Sequence, residues 1–175
     1  MIPKIQKILY ATDLSPNSTY ALRYAVNSAI KHGADIIILH VFEKVDPASN
    51  AVLDLFFYEK RHQELVDRRI AETKAIIKNR LDTIRDNELK ELKKDPQYKD
   101  TNISIEIREG FPAEEILRSS KELNCDIIIM GTHSKGIIAN TFLGSTAKRV
   151  LRRTRKPVFI IPLPKGEVDI TSHDR

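Results

Sequence analysis

The chain has 175 residues, enough for one domain with a sizeable core, and its hydrophobic and charged fractions of 41% and 30% suit a globular protein with charged helices. Aromatic residues make up only 6% and tryptophan is absent, so the core must be aliphatic. No apolar stretch approaches the roughly 20 residues that span a bilayer, the first residues lack the apolar run of a signal peptide, and the single cysteine, Cys125, excludes an internal disulfide. We therefore expect a cytoplasmic protein in which Cys125 is a small buried apolar residue.

The formal net charge is +5, and much of the positive excess lies in residues 148–156. Such a run can bind nucleic acid, or it can complement the dipole at the end of a helix. Because no RNA-stacking motif or recognition helix accompanies these cations, the helix end is the favoured interpretation. We expect neither a nucleic-acid nor a membrane partner.

Strand and helix patterns alternate from the N-terminus. Residues 5–11 predict a first strand, and Ser15 and Pro16 supply the N-cap and first residue of a helix that Gly33 ends. The apolar stripe of this helix consists of Leu22, Ala25, Val26, Ala29 and Ile30. Residues 36–41 are apolar up to His40, which is typical of a central strand covered on both faces.

The middle of the chain, residues 44–101, is predicted to be an extended helical segment followed by a loop. Residues 44–58 carry many large apolar side chains and are interpreted as the start of a packed helix, or else as a lid over a ligand or a subunit contact. A long helix is then predicted from about residue 60 to the mid-80s or beyond. Its inner face is expected to comprise Val66, Ile70, Thr73, Ile77, Leu81 and Ile84. The polar residues 87–101 are predicted to form a surface loop.

The last third of the chain continues the alternation. Isoleucines alternate with polar residues over 103–107, which predicts a strand at an edge of the sheet. Gly110 and Pro112 open a helix with Glu114 and Glu115 in its first turn. The remaining elements are a strand over 126–130, a helix over 145–154 and a strand over 158–161 that prolines bracket, as suits an edge strand.

The resulting order, βαβαβαβαβ, predicts an α/β protein with a doubly wound parallel sheet. Residues 1–162 are expected to form a single domain, and residues 163–175 a C-terminal tail. Ligands of such sheets bind beyond the carboxyl ends of the strands, where the strand order reverses. Two strand ends carry suitable residues: Ala11-Thr12-Asp13 after the first strand and the loop that begins at Gly131 after the fourth.

The loop after the fourth strand has the layout of a phosphate-binding segment. Gly131-Thr132-His133-Ser134-Lys135-Gly136 follows a buried strand, and Leu143-Gly144-Ser145-Thr146 precedes a helix whose first N–H groups lack intrahelical partners. The Ser145 hydroxyl can either cap that helix or reach a phosphate. Asp13 can either contact a ligand or cap the helix that begins near Ser15.

Several other site classes are excluded by their missing residues. No Gly-x-Gly-x-x-Gly follows the first strand, no Walker A motif occurs, and no acidic set marks a phosphorylation receiver. No nucleophile and base surround His133, so no catalytic residue is expected, and no Cys/His cluster has metal-site spacing. His40 is interpreted as a hydrogen-bonded core histidine.

Taken together, these segments resemble the universal stress protein family over nearly the whole chain. The resemblance rests on the order and spacing of five segments rather than on any one of them. They are Ile8 to Asp13, Leu39-His40-Val41, Gly110-Phe111-Pro112, Asp126 to Gly131, and Leu143-Gly144-Ser145.

The resemblance implies a three-layer, adenine nucleotide alpha hydrolase-like (Rossmann-like) fold with a five-stranded parallel sheet in the order 3-2-1-4-5. It also implies a homodimer, joined through the fifth strand from Val158 to Ile161. The expected function is an ATP-binding stress-response module with slow or no hydrolysis, a bridging Mg²⁺ or Mn²⁺ at the phosphates and an unknown protein client. Because the family also contains members that bind no ATP, the alternative is an ATP-independent dimeric interaction protein.

The nucleotide-binding members of the family carry glycine, two residues, glycine, nine residues, glycine and then serine or threonine. Gly131, Gly144 and Ser145 match this motif, but Ser134 stands at the second glycine. If that position needs a positive φ, serine costs on the order of 1 kcal/mol, or up to about tenfold in affinity. Its hydroxyl can instead donate to a phosphate, and Lys135 adds a positive charge. The resemblance implies that the loop carries ribose and phosphate, and that Asp13 and Val41 border adenine. The predicted binding residues are Ala11, Thr12, Asp13, Val41, Met130, Gly131, His133, Ser134, Lys135, Gly144, Ser145 and Thr146.

Overall fold

The structure, a computed structural model, describes residues 2–42, 59–94, 101–132 and 143–162. Strands and helices alternate along these residues. In chain order they are β1 (Lys7–Thr12), α1 (Pro16–His32), β2 (Asp35–Phe42), α2 (Glu59–Leu92), β3 (Ile103–Glu109), α3 (Pro112–Glu122), β4 (Ile127–Gly131), α4 (Ser145–Arg153) and β5 (Val158–Ile161).

The strands form one five-stranded sheet in the order β3-β2-β1-β4-β5, and all neighbours are parallel. The predicted α/β fold and strand order are therefore confirmed. Ala11 in the central strand β1 pairs with Leu39 of β2 on one side and with Met130 of β4 on the other. Both predicted edge strands, β3 and β5, are at the edges.

Alternate residues of the strands pack into two separate cores, one on each face of the sheet. Ile8 and Tyr10 of β1 belong to a core that includes side chains of α1 and α2. Leu9 and Ala11 belong to a second core with side chains of α3 and α4. Because the side chains of a strand alternate in direction, both faces of the sheet need cover, and helices on each face give the fold three layers. Each fully buried leucine or isoleucine side chain contributes about 1.5–3 kcal/mol to the stability of these cores.

Helix α1 begins and ends at the predicted residues. The Ser15 side chain accepts a hydrogen bond from the Ser18 amide at 3.2 Å, and Pro16 is the first helical residue. Gly33 ends the helix in the left-handed conformation (φ +63°), and its N–H donates to the Ala29 carbonyl. Both caps satisfy backbone groups that a helix end otherwise leaves unpaired.

Helix α2 corrects two predictions. It continues to Leu92, so the predicted loop at 87–101 is wrong for its first residues; Leu89 packs against the α1/α2 core there. Thr73 is exposed and does not belong to the inner face, whereas Leu81 is 2% exposed. The predictions for residues 44–58 and for the tail at 163–175 lie outside the described residues.

The cations at the C-terminal end of the described chain act at helix ends, as predicted. Arg152 and Arg153 occupy the last turn of α4. Lys156 donates to the Ser120 carbonyl at 2.7 Å and to the Cys125 carbonyl, and so binds carbonyl groups at the end of α3. Cys125 is free and buried, which confirms its predicted role, and burial raises the pKa of its thiol. Among the described helices, none combines the length and apolarity needed to cross a membrane.

Candidate functional site

A cleft of about 310 Å³ opens at the carboxyl ends of β1 and β4. The chain leaves these two neighbouring strands toward opposite edges of the sheet, so the cleft lies where the strand order reverses. Its lining residues come from the strand ends, from the β1–α1 turn and from the starts of α3 and α4. They are Ala11, Thr12, Asp13, Ser18, Leu39, Val41, Pro112, Ile116, Met130, Gly131, Thr132, Gly144, Ser145, Thr146 and Ala147.

The floor of the cleft is apolar. Ala11, Leu39 and Met130 are buried side chains of adjacent strands on the α3/α4 face of the sheet, and Val41 packs against the same core. Ile116 of α3 adds a further buried apolar wall. A surface of this composition suits the flat face of an aromatic ring, because it removes apolar area from water without asking for a hydrogen bond.

A tight turn at the end of β1 forms one polar rim. Leu14 takes the left-handed conformation (φ +65°), which costs a non-glycine residue about 1–2 kcal/mol. Its N–H donates to Thr12 Oγ1 at 3.1 Å, and the Ser15 N–H donates to Asp13 Oδ1 at 3.0 Å. Ser15 rather than Asp13 therefore caps α1, and the exposed Asp13 carboxylate keeps acceptor capacity for a ligand.

The opposite rim joins the end of β4 to the start of α4. The Gly144 N–H donates to the Thr132 carbonyl at 2.8 Å, and the Thr132 N–H donates to the Ile161 carbonyl at 3.1 Å. These bonds attach Thr132 to Gly144 and to the end of β5 at the mouth of the cleft.

Helix α4 presents its N-terminus to the cleft. Gly144 is the N-cap, no side chain of the described residues caps the helix, and its first turn contains no acidic residue. Ser145 is thus the first helical residue and not the N-cap, so the capping interpretation of its hydroxyl is wrong. The amides of Ser145, Thr146 and Ala147 belong to the first turn, whose N–H groups have no intrahelical acceptor. A partial positive charge therefore lies where an anionic group can reach it.

Hydrogen bonds from buried hydroxyl groups and from the His40 imidazole hold the end of β1 in place. Thr12 Oγ1 lies 2.9 Å from Ser18 Oγ, and the Tyr10 hydroxyl donates to the Ser18 carbonyl. His40 Nδ1 donates to the Thr12 carbonyl at 2.9 Å. Because a carbonyl only accepts, Nδ1 must carry the proton. The prediction of a hydrogen-bonded core histidine is confirmed.

Burial is the main influence on the pKa values of His40 and Tyr10. It lowers the pKa of His40 below its ordinary value of 6.5; the Arg80 charge adds to this effect, while the bond to Thr12 and the Asp13 charge oppose it. Burial likewise raises the pKa of the Tyr10 hydroxyl. Both side chains are therefore neutral hydrogen-bonding groups near pH 7.

Every predicted binding residue that the structure describes lines this one cleft, whereas His133, Ser134 and Lys135 lie outside the described residues. Whether the lining residues contact a ligand stays a prediction. Sequence reasoning missed several neighbours, namely Ser18, Leu39, Pro112, Ile116, Thr132 and Ala147. The two-residue period of a strand could have identified Leu39, which lies two positions before Val41 on the same face of β2. Ala147 could have been identified from its place in the first turn of α4, which begins at the cleft.

The cleft contains hard oxygen donors but no complete metal cage in the part of the chain that the structure describes. Within those residues, no group of three or more His, Cys, Asp or Glu side chains could hold a metal ion. The donors at the two rims include the Asp13 carboxylate and the hydroxyls of Ser145 and Thr146. Such a set fits Mg²⁺ or Mn²⁺ when a ligand's phosphates supply the remaining oxygens.

A five-stranded doubly wound sheet with a cleft at its switch point defines the class of Rossmann-like α/β proteins. Within that class, the chain belongs to the universal stress protein family, whose model matches residues 4–162.

Individual relatives agree with this assignment. The chain is 27% identical to Universal stress protein MJ0577 of Methanocaldococcus jannaschii over 156 residues, which is 89% of this chain and 94% of the relative. The solved structure of MJ0577 superposes with a TM-score of 0.68 and 24% identity, covering 93% of this chain and 99% of that one.

Two further solved structures contain nucleotides. A universal stress protein in complex with cAMP matches with a TM-score of 0.59 and 20% identity over 93% of this chain and all (100%) of that one. The universal stress protein from Archaeoglobus fulgidus in complex with dAMP matches with a TM-score of 0.53 and 19% identity over 92% and 99% of the two chains. At these identities the likeness establishes the fold.

Proposed function

We propose that this protein binds ATP in the cleft and acts as a stress-response regulatory module with slow or no hydrolysis. The observation that carries the proposal is the composition of the cleft, in which an apolar floor and an uncapped helix N-terminus face one space. A nucleotide needs both, because its base is flat and largely apolar and its phosphates are anionic.

The two rims suggest how ATP is oriented. The adenine ring packs on the floor around Val41 and Met130, with Asp13 available to accept a hydrogen bond from the base or the ribose. The phosphates extend toward Gly144 and the first-turn amides of α4. The cAMP and dAMP complexes of two relatives support an adenine nucleotide as the ligand class. A bound Mg²⁺ or Mn²⁺ would be held by the phosphates with Asp13 or the Ser145 hydroxyl, and would neutralise their charge.

The described walls of the cleft favour binding over rapid hydrolysis. Among the lining residues, Asp13 is the one with a titratable side chain, and its Oδ1 already accepts the Ser15 N–H. Activation of a water requires a base positioned against the terminal phosphate by a further group. We therefore propose that bound ATP is a signal whose occupancy is read by a client protein in the cytoplasm.

A second candidate function is an ATP-independent dimeric interaction protein. Ser134 favours it, because a glycine is expected at that position of the nucleotide motif.

In both functions we propose a homodimer joined through β5, whose Phe159 is 42% exposed on an edge strand. An apolar edge left unpaired invites aggregation. Sedimentation at micromolar concentration should show a dimer that Phe159→Lys weakens; a wild-type monomer would contradict this part.

Two measurements separate the candidates. The purified protein is denatured and its supernatant is run on an anion-exchange column, and ligand-free protein is then titrated with ATP and Mg²⁺ in a calorimeter. We expect released adenine nucleotide, or binding with a Kd below the millimolar range. Absence of both would leave the interaction protein as the function and reject ATP binding.

A further inference from the structure

The left-handed conformation of Leu14 has to be maintained by its surroundings. Leucine rarely adopts a φ of +65°, and such residues persist only where neighbouring contacts overdetermine the backbone. Leu14 lies between Asp13, on the rim of the cleft, and Ser15, the N-cap of α1. A change in its conformation would therefore reorient the rim and the start of the helix together.

Helix α2 supplies one of these contacts from outside the cleft. The Arg80 guanidinium donates from Nη2 to the Leu14 carbonyl at 3.3 Å, across 66 residues of sequence. The N–H of the same residue is held by Thr12 Oγ1 at 3.1 Å. Both polar backbone groups of Leu14 are thus bonded in the observed conformation, and a different one would break both bonds.

Thr12, two residues before Leu14, is anchored in a similar way from β2. His40 donates to the Thr12 carbonyl at 2.9 Å, and the Arg80 charge acts on that imidazole. Arg80 and His40 therefore support the same turn from α2 and β2. Neither residue lines the cleft.

We propose that Arg80 is a positioning residue of the cleft: it holds Leu14 in the left-handed conformation and thereby fixes Asp13 on the rim. The effect on nucleotide binding rests on the proposed function. The effect of Arg80 on the conformation of Leu14 does not. The proposal assigns to α2, none of whose described side chains lines the cleft, control over the geometry of the binding site.

The structural part is tested without ligand. Amide hydrogen exchange of Leu14 and Ser15 is measured by NMR in the wild type, in Arg80→Gln and in the matched control Arg68→Gln, whose residue makes a local ion pair with Glu72 at 3.2 Å. We expect several-fold faster exchange in Arg80→Gln and wild-type rates in Arg68→Gln. Unchanged rates in Arg80→Gln would overturn the proposal.

The functional part compares two ligands of different charge. If Arg80 acts through Leu14, Arg80→Gln should weaken adenosine and ATP by the same factor, about threefold to tenfold, as for the loss of one solvent-exposed hydrogen bond. If it acts as a charge on the phosphates, ATP alone should weaken, which would refute positioning. In a Leu14→Asn background the effect should shrink, because asparagine tolerates the left-handed region better.

The two parts fail separately. A wild-type protein that binds neither ligand rejects the proposed function, while the exchange rates still decide whether Arg80 holds the turn. A protein that binds ATP normally with Arg80→Gln, and with unchanged exchange, retains the proposed function and loses this inference.

Discussion

Gly144 occupies a position at which the backbone accepts a side chain, but at which we expect a side chain to interfere with phosphate binding. Its φ of −62° and ψ of +158° lie in the extended region that all L-residues adopt. It lines the cleft and begins the helix whose amides face the proposed phosphates. Valine in place of Gly144 should therefore fold normally and obstruct binding.

The expected losses differ between folding and binding. Valine is a poorer N-cap than glycine, so unfolding should become easier by at most about 1 kcal/mol, a fall of about 2–4 °C in Tm for a chain of this size. Binding should lose at least one amide-to-phosphate hydrogen bond, about 1.5–3 kcal/mol. That loss corresponds to a rise in Kd of about tenfold to 150-fold.

Calorimetric titration with ATP and Mg²⁺, paired with thermal unfolding, measures both quantities. Gly144→Ala provides the graded control, since a single methyl should weaken binding less than valine does. An ATP affinity equal to that of the wild type in Gly144→Val would refute the assignment of the α4 N-terminus to the phosphates. A fall in Tm much larger than expected would refute the claim that the backbone tolerates a side chain here.

Three further predictions concern the motif, the pH dependence and the fold. Ser134→Gly should keep or improve the ATP affinity measured by calorimetry, and a weaker affinity would show that the serine hydroxyl is itself a phosphate contact. Because burial lowers the pKa of His40 in the folded state, the unfolded chain binds more protons as the pH falls below about 6.5. The free energy of unfolding in urea should therefore decrease between pH 7.5 and 5.5, and less so in His40→Gln; equal slopes would contradict this account. Gly110→Ala should destabilise the fold by about 1–3 kcal/mol, because its φ is +146° and a Cβ would lie 3.0 Å from Glu115 Cγ. Gly33→Ala, with φ +63° and nothing within 4 Å of its Cβ, should cost less in the same urea assay.

Local chemistry explains why most of the fold could be predicted. Ser15, Pro16 and Gly33 act through bonds within a few residues, so their effect does not depend on the rest of the chain. The sheet was recognisable because its central strands are covered on both faces and read as continuous apolar runs, as in Ile36 to Leu39. Strand order came from family resemblance, since alternation of elements alone does not fix it.

Helix α2 marks the limit of local reasoning. Residues 87–92 are polar on average, which suggested a loop, but one leucine at position 89 reaches the core and prolongs the helix. Thr73 fits the apolar spacing but is exposed, so its position in the heptad-like pattern did not predict its burial. Spacing predicts which face a residue occupies, whereas only tertiary contacts determine how far along a helix that face stays covered.

The bond between Gly144 and Thr132 bears on whether Ser134 is compatible with ATP. Because the Gly144 N–H and the Thr132 carbonyl are 2.8 Å apart, Thr132 and Gly144, which flank position 134 in the sequence, are already joined before a ligand binds. The entropic cost of bringing these two residues together is met on folding and not on binding a ligand. A serine at position 134 then adds only its local conformational cost, about 1 kcal/mol if a positive φ is needed. Since the apolar floor and the α4 N-terminus are formed by other residues, the substitution is expected to reduce ATP affinity rather than abolish it.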